Sequence, residues 1–340
     1  MASDNAQAAG PTYRIFGSEL SPYSVKVRSY FRYKGIPHEW VLRSANNEEE
    51  FRRYAKLPLV PLVVADDGRA WQDSTPIIEH FETLHPEPSI HPDDPTLAFL
   101  SALIEEYGDE WGNKPMFHYR WTYEADRRSA AERIARQMMP GLDESGIENA
   151  IQMVAGRMVP RLSFVGSSPE TAEQIEGSFV RQLEILEKHL AKRPYLFGGR
   201  PAFGDFGLFA QIYECSTDPT PGALLRERGR NVLAWTERML DPRNEGPFED
   251  WAALEPTLMP LLRDEVIGVF APWTVANARA LAEGKPQLEV TLGGKPFRQE
   301  PQKYHAKSLA ALRARYAAVR ERDALDRILD AAGGRAFLVD

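Results

Sequence analysis

The sequence predicts a small α/β domain followed by a larger all-helical domain, and three features carry this prediction. Short runs of β-forming residues alternate with amphipathic helical patterns up to about residue 86. A proline-rich stretch at 85–95 then interrupts the pattern, because repeated proline removes amide donors and fixes φ. Beyond it, apolar residues recur at three- and four-residue steps, which is typical of helices.

Size and composition fit two packed domains. The chain has 340 residues, of which 43% are hydrophobic and 26% are charged, and single hydrophobic cores stop growing at a few hundred residues. The net charge of -8 argues against a nucleic-acid partner, which requires a basic surface. The longest apolar stretch, 57–65, is too short to span a membrane. We therefore expect neither nucleic-acid binding nor membrane insertion.

Cysteine and histidine usage limits the available chemistry. Cys215 is the only cysteine, so the sequence permits no internal disulfide and no cysteine-based zinc site. The seven histidines lack the spacing of a metal motif, and we expect no metal cofactor. Residues 1–11 have neither the basic end nor the apolar run of a secretory signal. They are predicted to be a disordered arm of a cytoplasmic protein.

The first domain is predicted over residues 12–86 with the element order βαβαββα. Its strands are expected at 12–18, 38–43, 59–65 and 69–72. Its helices are expected after Ser21-Pro22, within the charged stretch 46–56, and after Asp73-Ser74. This order, with a proline at the start of the third strand and no long loops, is that of a thioredoxin-like domain.

The helical domain is predicted over residues 97–240, after a linker at 87–96, and an extension at 241–340 follows it. The helical domain contains amphipathic patterns at 99–111 and 170–191 and a strongly apolar helix within 197–214. The extension is predicted to contain several proline-interrupted helices at 251–284, a β-hairpin at 288–299 and a final helix at 306–330.

A first candidate site feature is Ser21-Pro22-Tyr23, which places a hydroxyl at the N-terminus of the first helix. Unpaired amides and the positive end of the helix dipole favour an anion at such a position, and a thiolate is one such anion. Ser-Pro is also a common helix start, so on its own the motif more often describes a simple cap.

A second feature is Val60-Pro61 at the start of a buried strand, where proline removes one ladder hydrogen bond. If the peptide bond is cis, the amide and carbonyl of Val60 face outward as partners for an extended peptide ligand. The alternative is an ordinary proline on an edge strand.

A third feature is Asp73-Ser74, which begins another helix with Pro76 in its first turn. A carboxylate and a helix-end hydroxyl can hold the ammonium and the carboxylate of an amino acid. The alternative is simple capping. The three features become specific when they occur together in this order on this strand pattern.

Residues 12–86 resemble the glutathione-binding domain of cytosolic glutathione transferases through SPYSVKVR at 21–28, VPLVV at 60–64 and QDS at 72–74. The resemblance implies that glutathione is a co-substrate and that Ser21 contacts its sulfur. It further implies that Val60, beside a cis Pro61, binds the cysteinyl backbone, and that Asp73 and Ser74 hold the γ-glutamyl end.

Serine at the sulfur position is similar to the plant tau-type pattern, whereas omega- and beta-type proteins carry cysteine there and perform thiol exchange. A hydroxyl that donates to the sulfur lowers the thiol pKa from its free value of about 8.5 and increases the thiolate fraction. The resemblance therefore implies a transferase that joins glutathione to a small apolar electrophile, as in detoxification.

The sequence departs from the family pattern at two places. PAFGDF at 201–206 is similar to the family's capping box before a core helix, with Asp205 in place but Ala202 where the box has serine or threonine. Leu59 stands where tau-type proteins often have a basic residue, so Lys56 and Arg43 are the alternatives for holding the glycyl carboxylate of glutathione.

An aromatic-rich segment at 111–124 lies where the family's second domain faces the glutathione site. Its residues, together with Tyr23, are candidates to line the electrophile pocket: Trp111, Phe117, Tyr119 and Trp121. The alternative is that these rings fill the helical core or its contact with the extension.

The resemblance also implies a homodimer, through the helix that bears Leu100, Ile104 and Tyr107. Two further functions remain open. A non-catalytic binding or scaffold protein is favoured by the long extension. A glutathione-dependent reductase or dehalogenase would require cysteine at the Ser21 position, and Cys215, in a predicted core helix, is a poor replacement.

Overall fold

The structure is a computed structural model that describes residues 12–339, and the arm predicted at residues 1–11 lies outside the described residues. The described chain begins with the predicted βαβαββα unit, which is confirmed. Its elements are β1 (Tyr13–Gly17), α1 (Pro22–Tyr33), β2 (His38–Leu42), α2 (Glu48–Tyr54), β3 (Leu62–Ala65), β4 (Ala70–Gln72) and α3 (Ser74–Leu84).

These four strands form one sheet with the order β2-β1-β3-β4. β1 is parallel to β2 and antiparallel to β3, and β4 is antiparallel to β3. β3 begins at Leu62 and not at the predicted residue 59, because Pro61 has no amide to donate to the ladder. The side chains of Val25, Tyr30 and Phe31 on α1 are fully buried, as their spacing predicts.

An all-helical region follows. Its elements are α4 (Pro95–Tyr107), α5 (Asn113–Thr122), α6 (Glu124–Met138), α7 (Glu144–Met158), α8 (Ala172–Leu190), α9 (Phe203–Thr217), α10 (Pro219–Arg228) and α11 (Arg230–Arg238). A π-helical segment, Gly108–Gly112, joins α4 to α5. An added Cβ at Gly108 would lie 2.8 Å from backbone atoms of Gly207 and Leu208, so glycine permits the close approach of α9.

The side chains of Leu100, Ile104 and Tyr107 on α4 are fully buried within the chain's own core. The prediction of a dimer contact through these three residues is therefore wrong, because none of their side chains is accessible to a second subunit. An adjacent side of α4 is covered by the extension, since Phe99 contacts Tyr316 with ring centroids 5.6 Å apart.

The extension contains the predicted hairpin, and its helices differ from the prediction. Its elements are α12 (Trp251–Pro260), a π-helical segment (Leu261–Phe270), α13 (Ala271–Ala282), β5 (Leu288–Leu292), β6 (Lys295–Gln299), α14 (Lys303–Ala318) and α15 (Asp323–Ala331). The hairpin is confirmed: β5 and β6 pair antiparallel around Gly293-Gly294, both with positive φ.

Two helix predictions in the extension are wrong. The prolines do not divide 251–282 into separate helices, because the wider π-helical turns that begin directly after Pro260 accommodate its missing donor and its ring. The final helix is not continuous over 306–330. It breaks after Ala318, where Glu321 adopts a φ of 54°, and the turn lets Leu325 and Leu329 of α15 pack into the core.

The main hydrophobic core runs from one face of the sheet through the helical region into the extension. A second cluster lies between α6 and α7, and Leu20 and Phe117 pack against it. Within residues 12–339, no helix combines the length and the apolar content needed to cross a bilayer.

Candidate functional site

The three sequence features meet at one end of the four-stranded sheet. Phe16 pairs with Leu62 and Leu62 pairs with Gln72, so the end of β1, the start of β3 and the end of β4 lie side by side. The segments that follow β1, precede β3 and follow β4 therefore emerge together. They carry the sheet-end site, which we define by Ser21, Val60, Asp73 and Ser74.

Ser21 is the N-cap of α1, and Pro22 is the first helical residue. The backbone of Ser21 is extended, and its Oγ accepts a hydrogen bond from the Ser24 amide at 3.3 Å. The preceding loop is fixed from the helical region, since Arg120 donates to the Leu20 carbonyl at 2.9 Å and Ser18 donates to Gln137 at 3.0 Å. The hydroxyl is thus held, half-buried, at a helix N-terminus.

Val60 is joined to Pro61 by a cis peptide bond. The side chain of Gln72 shapes the segment before it: its amide group donates to the carbonyls of Leu57 and Leu59 and accepts from the amides of Lys56 and Leu57, at 2.6–3.1 Å. Among residues 12–339, the amide and carbonyl of Val60 have no hydrogen-bond partner. A donor and an acceptor are therefore free for an extended peptide ligand.

Asp73 precedes α3 with a φ of 81°, a conformation that costs a residue other than glycine about 1–3 kcal/mol. Its carboxylate makes no capping hydrogen bond, so the strain does not serve helix initiation. Ser74, the first residue of α3, is almost fully buried. The strained backbone is consistent with a carboxylate held in position for a ligand.

A buried charged cluster lies behind the sheet-end site and was not predicted from the sequence. The Lys26 ammonium donates to Asp109 at 2.6 Å, to Thr75 at 3.0 Å and, closely, to Glu105. These residues belong to α1, α3, α4 and the π-helical segment, so the cluster joins the first domain to the helical region. Burial raises the pKa of Asp109 to about 7, in spite of the neighbouring Lys26 ammonium.

Tyr23 lies between the two domains. Its hydroxyl donates to the Asp109 carbonyl at 3.0 Å and accepts from Asn113 at 3.1 Å. Burial, together with the Asp109 carboxylate, raises the pKa of Tyr23 well above its usual value, so the phenol stays protonated. The Tyr23 hydroxyl thus ties the start of α1 to the helical region, and a role of its ring in the electrophile pocket remains a prediction.

Most of the aromatic residues predicted to line a pocket lie in the cores. Trp111 is buried against Trp273 and Phe297 of the extension. Tyr119 and Trp121 are likewise almost fully buried. A role of these three rings in an electrophile pocket stays a prediction. Phe117 is only half-buried and stays a candidate.

The extension reaches the sheet-end site. The hydroxyl of Tyr304, on the first turn of α14, lies 3.4 Å and 3.5 Å from the two carboxylate oxygens of Asp73. Its neighbour His305 contacts Glu110 through Nδ1, and Ser308 donates to Glu106. These contacts join residues about 200 positions apart in the chain, which sequence patterns cannot reveal.

The buried carboxyl of Glu110 makes stability depend on pH. Burial raises the pKa of Glu110 to about 8, against the lowering effect of Lys114, whereas an unfolded glutamate titrates near about 4.3. Because the folded pKa is the higher one, the contribution of Glu110 is complete below about pH 4.3 and is lost as the pH rises through the folded pKa. We expect the free energy of unfolding to fall between about pH 5 and pH 8 and to level off above that range.

Urea unfolding of Glu110→Gln across this range tests the expectation. The slope should be shallower in Glu110→Gln than in wild type, and the slope that remains comes from other buried carboxyls with raised pKa values, among them Glu106 and Asp109. Glu144→Gln is the control, because Glu144 is exposed and its pKa is lowered by Arg136, so it has no effect in this range. Equal slopes in wild type and Glu110→Gln would contradict the assignment.

Two family models match this chain. The model for the glutathione S-transferase N-terminal domain matches residues 15–89, and the model for the glutathione S-transferase C-terminal domain matches residues 169–238. The uncharacterized GST-like protein YibF of Escherichia coli (strain K12) is 29% identical over 97 residues, which are 28% of this chain and 48% of that protein. The chain thus spans about half the length of this curated relative.

Two solved structures with a similar chain are distant in sequence. A glutathione S-transferase from Methylobacterium radiotolerans, in complex with glutathione sulfonate, is 19% identical, with 70% of this chain and 96% of that chain covered at a TM-score of 0.42. One from Rhodospirillum rubrum F11 is 16% identical, with 87% and 99% covered at a TM-score of 0.44. Because both TM-scores are low, nothing is inferred about this chain from the two structures. The two domain models, matched in order along the chain, identify residues 15–89 and 169–238 as glutathione S-transferase N-terminal and C-terminal domains.

Proposed function

We propose that this protein is a glutathione transferase in which Ser21 stabilises the thiolate of bound glutathione for attack on a small apolar electrophile. One observation carries the proposal. The unpaired amide and carbonyl of Val60 lie at the same sheet end as the N-termini of α1 and α3. A thiol peptide with an amino-acid end matches this set of groups.

Each part of glutathione has a partner in this arrangement. The cysteinyl backbone pairs with the amide and carbonyl of Val60. Asp73 holds the γ-glutamyl ammonium, and Ser74, at the N-terminus of α3, holds the γ-glutamyl carboxylate. The sulfur then lies at Ser21, whose hydroxyl and helix N-terminus favour the thiolate. The thiol proton leaves to solvent, and a sulfur lone pair forms the new bond to the electrophilic carbon while the bond from that carbon to its leaving group breaks. The leaving group departs to solvent with the bonding electron pair.

Lys56 is the better candidate for the glycyl carboxylate. Arg43 already forms an ion pair with Glu48 and donates to the Pro58 carbonyl at 2.8 Å. Lys56 is exposed, and among residues 12–339 its ammonium has no ion-pair partner. It is therefore free to pair with the carboxylate of a ligand.

The electrophile is proposed to bind on the apolar surface beside Ser21. Leu20 and Phe117 are partly buried and pack against the cluster between α6 and α7, with Met158 beside them. An unbranched, polarisable side chain such as that of Met158 adapts to ligands of different shape. This surface supports a small apolar substrate.

Cysteine chemistry gains no support from Cys215. It is buried in α9, and burial raises its pKa well above the usual value, so it is neither exposed nor a thiolate. A reductase or dehalogenase mechanism therefore has no accessible cysteine nucleophile among the described residues. A cytoplasmic homodimer remains part of the proposal, with a contact surface other than the buried residues of α4.

Isothermal titration with reduced glutathione tests the proposal, with the ultraviolet absorbance of the thiolate recorded on each complex. Wild type should bind, and Ser74→Ala should bind more weakly. Ser21→Ala should still bind but lose the thiolate signal at neutral pH. Its turnover should fall about 10- to 100-fold, since a hydrogen bond to a charged group contributes about 1.5–3 kcal/mol.

The control for Ser21→Ala must separate the loss of a helix cap from the loss of a sulfur contact. Asp143→Ala serves this purpose, because Asp143 caps α7, a helix that carries none of the sheet-end residues, by accepting from the Gly146 amide at 2.8 Å. Both variants should lose about 1 kcal/mol of stability, and only Ser21→Ala should lose the thiolate. If wild type does not bind glutathione, the scaffold alternative replaces the transferase.

A further inference from the structure

The first turn of α14 is fixed at the sheet-end site by a polar clamp. The backbone amide of Gln302, the N-cap of α14, donates to the side-chain oxygen of Asn277 at 2.8 Å. The side-chain nitrogen of Asn277 donates to the backbone carbonyl of Gln302 at 3.0 Å. Asn277 is fully buried on α13. Because Tyr304 comes only two residues after this clamp, its backbone has a defined position.

Contacts along the same helix hold α14 against the acidic residues of α4 and the π-helical segment. His305 contacts Glu110 and Ser308 donates to Glu106, one helical turn apart. The positive end of the α14 dipole thereby faces Asp73 and Glu110, which is a favourable orientation. The first turn of α14 is therefore a rigid part of the site and not a loose tail.

The hydroxyl of Tyr304 is placed almost equally near both oxygens of the Asp73 carboxylate, at 3.4 Å and 3.5 Å. The residue is nevertheless 51% exposed, so one side of the phenol remains open towards solvent and any ligand. A phenol in this position can donate to the carboxylate while its oxygen accepts from a cation bound there.

We propose that Tyr304 of the extension is a further glutathione-binding residue, which positions Asp73 and closes the γ-glutamyl end of the sheet-end site. This inference rests on the proposed function. The ammonium of the γ-glutamyl group then lies between the Asp73 carboxylate and the Tyr304 oxygen. The extension thus completes the site within the same chain, which gives residues 303–318 a role in ligand binding.

Titration of Tyr304→Phe with reduced glutathione tests the inference, because the substitution removes only the hydroxyl. The dissociation constant should rise about 5- to 10-fold, as expected for one lost hydrogen bond at a charged group. The pKa of the bound thiol should stay at the wild-type value, because Ser21 lies at the other end of the ligand. A substitution that only loosened the site would change both the dissociation constant and the pKa of the bound thiol.

Two further variants make the result specific. Tyr316→Phe is the matched control, since Tyr316 lies on the same helix and its hydroxyl donates to Asp326 at 2.7 Å, away from the site. It should bind glutathione like wild type. In Asp73→Asn, adding Tyr304→Phe should cause a smaller loss than it causes in wild type, because Tyr304 acts partly by positioning the carboxylate.

The outcomes separate this inference from the proposed function. If wild type binds glutathione and Tyr304→Phe binds equally well or more tightly, the inference is overturned and the proposed function stands. Fully additive losses in the double variant also overturn it, because Tyr304 would then act independently of Asp73. If wild type does not bind, the proposed function fails first.

Discussion

Replacing Lys26 by methionine is expected to lower the free energy of unfolding by about 3–5 kcal/mol, the cost of removing one partner from a buried ion pair. The Lys26 side chain is fully buried and contacts two carboxylates, Glu105 and Asp109, that are themselves almost inaccessible. Methionine fits the space but leaves both carboxylates without a cation. The lost stability comes from the contact between the two domains, which lies behind the sheet-end site.

The loss in Lys26→Met should depend on pH. Burial already raises the pKa of Asp109 to about 7 with the ammonium present, and removal of the ammonium raises it further. Since a raised folded pKa makes the contribution decline as the pH rises, the variant should be less affected near about pH 5 than near about pH 8. Urea unfolding at both pH values measures the difference.

Two comparisons make the result for Lys26 decisive. Lys285→Met is the matched control, because Lys285 is exposed and pairs with exposed Glu283, and its loss should change stability by less than about 0.5 kcal/mol. Adding Glu105→Gln and Asp109→Asn to Lys26→Met should restore part of the stability, since no uncompensated charge then remains. A Lys26→Met variant as stable as Lys285→Met would contradict the assignment.

Local chemistry made the elements of the first domain and the hairpin of the extension predictable. Ser21 caps α1, and the Gly293-Gly294 turn joins β5 to β6, as the neighbouring residues alone indicate. Each of these features depends on residues within a few positions of one another. The order of elements around them then brought Ser21, Val60 and Asp73 to one end of the sheet.

Long-range contacts were not predictable from the same patterns. The sequence pattern predicts only that Lys26 belongs to an amphipathic helix. No neighbouring residue in the sequence indicates its contact with Asp109, 83 positions later. Tyr304 and Asp73 are 231 positions apart. Periodicity predicts which face of a helix is buried but not which partner covers it, so the extension's part in the site required the folded chain.

The departures in the extension have a similar origin. Proline within a helical pattern predicts a break, yet a π-helical segment after Pro260 keeps 251–282 continuous. The burial of Trp111 follows from Trp273 and Phe297, which belong to the extension and so lie outside the family's two matched domains. The extension thus buries a residue that the family resemblance alone suggests as part of a pocket.

Replacing Asp205 by alanine is expected to destabilise the protein by roughly 3–6 kcal/mol, because three buried donors lose their acceptor and each costs about 1–3 kcal/mol. The Asp205 carboxylate accepts from the amide of Leu196 at 2.8 Å, and from the amide of Ala202 and the indole of Trp235, both at 2.9 Å. Ala202 offers no hydroxyl in return, and its backbone carbonyl accepts from the Asp205 amide at 2.9 Å. The start of α9 therefore depends on this one carboxylate.

Thermal and urea unfolding of a graded series checks this role of Asp205. Asp205→Asn should lose less than Asp205→Ala, since the amide oxygen can keep the bonds from Leu196 and Trp235 while the amide group opposes only the Ala202 donor. Burial raises the pKa of Asp205 to about 7, so its contribution to stability declines as the pH rises to that value. The free energy of unfolding of Asp205→Asn should therefore depend less on pH.

The control is Asp250→Ala, which removes an exposed cap that accepts from the Ala253 amide at 2.9 Å and should cost only about 1 kcal/mol. If Asp205→Ala costs no more than Asp250→Ala, the buried carboxylate does not hold α9 in place.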